Sequence, residues 1–145
     1  MMRGARRARG FTLIELVIAL VVVGLLLAFA VPAYREQVVS ARRAEGKALI
    51  TEVAARMERC YTRFSAYTNA ACTGILPANS EDGWYTVPAA GAGADQSTVA
   101  AQSFTLRALP QRAQAEEDTR CGTLTLSNTG VRGQSLTPPA GYDCW

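Results

Sequence analysis

An α+β fold, one long N-terminal α-helix followed by short β-strands, is predicted by three features of the sequence. Residues Leu16 to Tyr34 carry no formal charge, and the stretch that follows keeps apolar residues at helical spacing with no clear stop signal between. Beyond residue 100, short stretches switch to period-two alternation between Pro, Gly and Asn breaks. All four cysteines, Cys60, Cys72, Cys121 and Cys144, lie beyond the apolar run, in a part of the chain whose small core gains from disulfide staples.

The first ten residues, Met1 to Gly10, read as a leader with Arg3, Arg6, Arg7 and Arg9 and no acid. Basic residues directly before an apolar segment hold that end in the cytoplasm, so whatever follows Tyr34 is expected across the membrane, where disulfides persist. Residues 11–34 form the apolar half of the helix, and about 20 such residues span the hydrocarbon. Glu15 stands at the head of this run. An ionised carboxylate beside hydrocarbon must find a partner or give up its charge, so its placement asks for a function. Gly24 and Pro32 interrupt the helix pattern. Proline lacks the amide and clashes with the preceding turn, and glycine lowers helix propensity by about 1 kcal/mol, so the segment between them bends or unwinds most easily. Ala28-Phe29-Ala30 would also serve as the cleavage site of a secretory signal. That reading, like a plain signal anchor, leaves Glu15 unexplained.

Residues 35–64 form the amphipathic half. Val38, Val39, Ala41, Ala48, Leu49, Ile50, Val53, Met57, Cys60, Tyr61 and Phe64 recur at three- and four-residue spacing, with Arg42, Arg43, Glu45, Lys47, Glu52, Arg56 and Glu58 mostly on the other side. Glu52 and Arg56 are an i,i+4 pair of favourable orientation, as on a solvated face. A helix from about Phe11 to Phe64 would be about 80 Å long at about 1.5 Å per residue.

Residues 65–145 form the head, with a loop, an antiparallel sheet and a C-terminal loop. From Ser65 to Gly83 the helical pattern fails amid Asn69, Thr73, Gly74, Pro77, Asn79, Ser80 and Asp82, a loop long enough to need a tether. Trp84 to Val87 is a short strand ended by Pro88, and Ala89 to Ser97 is a mobile connection rich in Ala and Gly. Ser103 to Leu109 alternates, with Phe104 and Leu106 against Thr105 and Arg107, and Pro110 ends it. Gln111 to Arg120, with Glu116, Glu117 and Asp118, reads as a solvated loop. Leu124 and Leu126 alternate with Thr123 and Thr125 in Cys121 to Ser127, and Asn128-Thr129-Gly130 turns the chain into Val131 and Arg132. Two bridges are the natural use of the cysteines. Sequence alone does not choose among three pairings; the sequence-local pairs Cys60 with Cys72 and Cys121 with Cys144 are favoured, each closing a short loop.

The 145 residues, less the leader, suit one domain plus one membrane helix. Four arginines leave with the leader, taking the formal net charge from +3 to −1, so the basic balance is not a nucleic-acid signal. No enzyme is indicated, because the chain has no histidine, no G-x-S-x-G, no phosphate loop and no acid pair at informative spacing. No cofactor and no metal is expected: zinc binding is disfavoured by the lack of histidine and of C-x-x-C.

The run Gly10-Phe11-Thr12-Leu13-Ile14-Glu15-Leu16, between a short basic leader and an apolar helix with Pro32, resembles the prepilin signature of type IV pilins and related pseudopilins. The pattern C-G-T-L-T-L-S-N-T-G-V-R-G from Cys121, closed by Cys144-Trp145, is similar to the minor pilins of Gram-negative type IV pili. The resemblance implies a pilin fold, the long N-terminal α-helix packed on a small antiparallel β-sheet, whose last loop is closed by a disulfide; the extra pair Cys60 and Cys72 departs from the commonest single-bridge arrangement. It implies cleavage after Gly10 by a prepilin peptidase, N-methylation of Phe11, and Glu15 as the assembly residue, paired with the Phe11 amine of a neighbouring subunit. Gly24 and Pro32 would bound the segment that loses helicity on packing. Implied partners are other pilin subunits in a helical filament, the peptidase, the inner-membrane assembly platform, and lipid before assembly. The precursor would sit in the inner membrane with its head periplasmic, and then in an extracellular fimbrium serving adhesion and twitching motility. Two alternatives share the leader and helix. One is a type II secretion pseudopilin. The other is a ligand- or DNA-binding pilin, such as an adhesin or competence subunit, with Arg107, Arg112, Arg120 and Arg132 as a basic patch. The acidic run Glu116 to Asp118 among them counts against nucleic acid.

Overall fold

Helix α1 (Leu13–Phe64) is 52 residues long and continues through Gly24 and Pro32. The computed structural model describes residues 11–145; Gly10, with the rest of the leader, lies outside the described residues. Two compact units divide the chain, one ending at Gln37 and the other comprising Val38–Trp145.

In the first unit every side chain from Phe11 to Arg35 is exposed, including Leu13, Ile14, Leu16, Ile18, Leu20, Leu25, Leu26 and Phe29. Among the described residues α1 is the one helix long and apolar enough to cross a membrane. Apolar side chains on all sides of a helix need an apolar surrounding, whether lipid or other helices.

In the second unit α1 buries Val39, Arg43, Gly46, Leu49, Ile50, Val53 and Met57. This stripe follows the predicted period, with corrections: Ala41, Ala48 and Phe64, expected on it, are exposed. Arg43, expected on the solvated side, occupies a core position with only 2% of its surface exposed. The stripe packs against a six-stranded antiparallel sheet in the order β1-β2-β4-β5-β6, with β3 also on β4. The strands are β1 (Ala78–Asn79), β2 (Tyr85–Val87), β3 (Thr98–Val99), β4 (Phe104–Pro110), β5 (Leu124–Ser127) and β6 (Arg132–Gln134). Alternation places Tyr85 and Val87, then Phe104, Leu106 and Ala108, then Leu124 and Leu126 on the helix side. The register Leu106↔Leu126 and Ala108↔Leu124 keeps these side chains in facing rows, fixed because a one-residue slip would turn the apolar set outward.

Three stretches differ from expectation. The segment after α1 holds the short helix α2 (Ala70–Thr73), capped by Asn69, and the edge strand β1. The Ala/Gly-rich connection closes on itself through an Ala90↔Ser97 bridge and leads directly into β3, with Ser97 buried. The stretch taken for a solvated loop contains α3 (Ala113–Glu117), which buries Gln114 and leads to buried Asp118. Composition reads these stretches as loops; the partners of buried Asp118, of the Gln114 Nε2 group and of the Ser97 hydroxyl come from other elements of the fold, while Gln114 Oε1 is buried without a hydrogen bond among the described residues. Disulfides join Cys60 to Cys72, separated by 12 residues, and Cys121 to Cys144, separated by 23. The first ties the end of α1 to α2. The second ties the entry to β5 to the C-terminal loop.

Candidate functional site

At the start of α1 the backbone N–H of Glu15 donates to Thr12 Oγ1 at 3.3 Å. Thr12 thereby acts as an N-cap, satisfying one of the amides that a helix start leaves without a partner. The spacing Thr12-x-x-Glu15 is a capping-box pattern, a signal open to sequence reasoning that the prediction passed over. Glu15 lies in the first turn, where the helix dipole favours an acid. Phe11 is 87% exposed, and nothing within 4 Å would meet a Cβ at Gly24.

The head contains a buried polar cluster where α1 meets α3. Arg43 Nη2 donates to Asp118 Oδ1 at 2.8 Å and its Nε to Oδ2 at 3.0 Å, a bidentate pair. Asp118 also accepts from the Tyr85 hydroxyl at 3.2 Å, Gln114 Nε2 at 3.3 Å and the Cys121 amide at 3.1 Å. Gln114 Nε2 lies 3.1 Å from the Tyr85 hydroxyl and 3.3 Å from the Val39 carbonyl oxygen. Burial by itself would raise the Asp118 pKa, but the Arg43 and Cys121 hydrogen bonds and the Arg43 charge hold it below the usual carboxylate range. Burial likewise opposes the Arg43 charge, and its hydrogen bonds to Asp118 and Tyr142 reverse that, raising its pKa. Burial pushes the Tyr85 phenol up. Gly46 makes room for this arrangement, since a Cβ there would lie 2.7 Å from Tyr85 Cγ.

From this cluster one bond leads outward. Arg43 Nη1 donates to the Tyr142 hydroxyl at 2.7 Å, in the loop that the Cys121–Cys144 bridge closes. Beside that loop Arg120, the residue before Cys121, stands 4.8 Å from the Tyr142 ring, and Arg132 on β6 stands 5.3 Å from the Trp145 ring. Trp145 Nε1 donates to the Gly133 carbonyl at 2.9 Å, fixing the indole on β6. Lys47, one helical turn after Arg43, joins them. Its pKa is lowered, first by burial and then by the charges of Arg43 and Arg132, while Asp143 acts in the opposite sense. Guanidinium groups over aromatic rings, with an ammonium beside them, form a surface suited to phosphate groups.

The structure separates the four arginines of the expected patch. Arg107 alternates with buried Leu106 and Ala108 and so points to the sheet face away from α1. Arg132 pairs with helix-facing Leu126 and lies on the opposite face. Arg112 donates through Nη1 to the Asp82 carbonyl, 6.0 Å from the Trp84 ring. Arg120 and Arg132 remain by the C-terminal loop, joined there by Lys47. The acidic run does not oppose them as a block, because Asp118 is internal and Glu117 is paired with Arg42 at 2.6 Å. Tyr142, Trp145 and Lys47 were not among the expected site residues. For Tyr142 and Trp145 the signal in the sequence was the aromatic, Arg-flanked C-terminal loop; Lys47, on α1, had none.

Comparisons with known proteins cover both parts of the chain. Residues 5–31 match the prokaryotic N-terminal methylation motif, and residues 32–125 match the family described as type IV minor pilin ComP, DNA uptake sequence receptor. The type IV major fimbrial protein FimA of Dichelobacter nodosus is 49% identical over 41 residues, 28% of this chain. The chain spans about a quarter, 26%, of the length of the curated relatives it matches. Among solved structures, the Neisseria meningitidis non-core minor pilin PilV aligns with a TM-score of 0.53 and 22% identity, over 74% of this chain and 98% of that one. A type IV pilin from Shewanella oneidensis aligns with a TM-score of 0.46 and 26% identity, over 74% and 97%. The likeness to PilV is one of fold: a long N-terminal helix on a small antiparallel sheet.

Proposed function

Since this chain belongs to the family described as type IV minor pilin ComP, DNA uptake sequence receptor, we propose that it is a minor subunit of a type IV pilus, made as a prepilin and built into the filament from the inner membrane. Prepilin peptidase cuts after Gly10 and methylates Phe11. The apolar half of α1 then anchors the subunit, head periplasmic, until the assembly platform transfers it to the filament core. The observation that carries this reading is Glu15 in the first turn of α1, four residues from Phe11, at the head of the half of α1 whose apolar side chains are exposed on every side. In an apolar core a carboxylate is stable only beside a cation, and the new amine at Phe11 of a neighbour is placed to serve. Such attraction is strong at low dielectric and tolerates little axial misplacement, so it sets register, while helix packing supplies most of the association. The segment between Gly24 and Pro32 yields where neighbouring helices crowd it. The test is Glu15→Ala: the variant is cleaved and inserted in the membrane but absent from sheared filaments. Normal incorporation refutes the pairing, and a secretion defect without a pilus defect on deletion would assign the subunit to a secretion pseudopilus.

A second activity is proposed for the head, namely binding duplex DNA through Lys47, Arg120 and Arg132 with Tyr142 and Trp145. The family description names a DNA receptor, and the reading is supported by the internal placement of Asp118 and the pairing of Glu117 with Arg42, which leave Glu116 as the acid of that run without a cation partner among the described residues. Lys47→Ala and Arg132→Ala are each expected to lower the salt slope of binding by about 1, whereas Arg107→Ala on the opposite face leaves it unchanged. Binding by the mature protein in detergent that does not respond to salt refutes this reading.

A further inference from the structure

The buried Arg43–Asp118 pair has almost no exposed surface with which to touch a ligand, yet besides its bonds to Tyr85 and Gln114 it makes two that lead to the C-terminal loop. Asp118 holds the Cys121 amide, Cys121 is bridged to Cys144, and Arg43 holds the Tyr142 hydroxyl. The loop between the two cysteines thus has its covalent closure and its Tyr142 side chain both tied to one ion pair. We propose that Arg43 is a positioning residue for the head's polyanion surface: through Asp118 and Tyr142 it fixes the loop so that the stacked groups Arg120–Tyr142 and Arg132–Trp145 stand in binding geometry beside Lys47. This rests on the reading of that surface as the DNA-binding one.

The geometry explains why a buried arginine serves here. A lysine at position 43 would supply one point charge, whereas the guanidinium fork satisfies both Asp118 oxygens and still has Nη1 left for Tyr142. The Tyr142 ring is held at its hydroxyl by Arg43 and lies 5.3 Å from that guanidinium, with Arg120 4.8 Å from the ring. With the Tyr142 hydroxyl held by a buried cation, the loop occupies fewer positions than its other contacts alone would allow.

If the loop is released, the bound state keeps its contacts but the competent fraction of the free protein falls, and the apparent dissociation constant rises by the inverse of that fraction. Tyr142→Phe keeps the ring, the disulfide and the Arg43–Asp118 pair and removes only the connecting hydroxyl. In the mature full-length protein in detergent, with a fluorescent duplex as probe, it is expected to bind about fivefold more weakly at an unchanged salt slope. Amide hydrogen exchange across residues 139–145 is expected to quicken while the sheet stays protected. Arg43→Lys is expected to give the same two changes, and the double variant no further loss, because both act on one connection. Additive losses would mean that the Tyr142 hydroxyl touches DNA itself, which overturns the inference, as would unchanged loop exchange in Tyr142→Phe. Absence of DNA binding by the unsubstituted protein overturns the DNA reading instead, and hydrogen exchange then still decides whether Arg43 sets the loop.

Discussion

Gly46→Ala adds a single methyl group and is expected to destabilise the head, although alanine is the better helix former. In an open helix the substitution would stabilise by about 1 kcal/mol. Here the new Cβ would lie 2.7 Å from Cγ and 2.8 Å from both Cδ atoms of Tyr85. These ring atoms lie next to the backbone of β2, so they do not swing aside, and Tyr85 is fully buried with its hydroxyl tied to Asp118 and Gln114. Relief requires α1 to move off the sheet or the ring to leave its hydrogen bonds. Overpacking of this kind costs about 1–3 kcal/mol, and weakening the two hydroxyl contacts adds about 1 kcal/mol. The net loss is about 1–3 kcal/mol, a fall in Tm of about 4–8 °C for each kcal/mol in a head of this size. Thermal unfolding of the mature protein, with both disulfides verified by mass, measures it. The same substitution at Gly24 meets nothing within 4 Å and is expected to strengthen the helix. A Gly46→Ala protein as stable as the original would refute the packing argument.

Asp118→Ala leaves Arg43 buried without its partner and is expected to cost about 3–5 kcal/mol, read from denaturant unfolding; Asp118→Asn, which keeps a hydrogen-bonding group, costs less. The Asp118 pKa is lower folded than unfolded, so its contribution is complete above the unfolded value of about 4 and is lost as pH falls through the folded one. Acid unfolding followed by circular dichroism should show that loss, and Asp118→Asn should flatten it. Tyr67 behaves in the opposite sense: burial and then its hydrogen bond to Glu58 push its pKa up to about 12, so its contribution is complete below about 10 and lost as pH rises beyond that value. Removing the Cys60–Cys72 bridge by serine at both positions is expected to cost about 3 kcal/mol for a loop of this length, and equal stability would show that α2 needs no tether. Gly24→Ala stiffens the segment expected to unwind on packing and should reduce incorporation into filaments while leaving membrane insertion intact.

Periodicity made much of the fold legible. The 3.6-residue pattern places α1 within two residues of its observed ends, and alternation finds β4, β5 and the inward rows Phe104, Leu106, Leu124 and Leu126. These signals are local, since each residue's face follows from its neighbours in sequence. Elements of two to five residues, such as β1, β3 and α3, are too short to show a period, and tertiary contacts decide them. The candidate surface was legible in part. Arg120 and Arg132 were singled out, Arg107 and Arg112 were grouped with them although they lie elsewhere, and Lys47 was assigned to a solvated face.

By itself the sequence determined the long helix, its change from all-round apolar to one-sided, the strand periods and the family signature at residues 10–16, because each is written in residues adjacent along the chain. What only the tertiary structure decided is where charge goes inside. Arg43 and Asp118 lie 75 residues apart and each reads as a surface residue, since a lone buried charge is unaffordable. Folding brings them to 2.8 Å, and only with that partner does either side chain become a core residue.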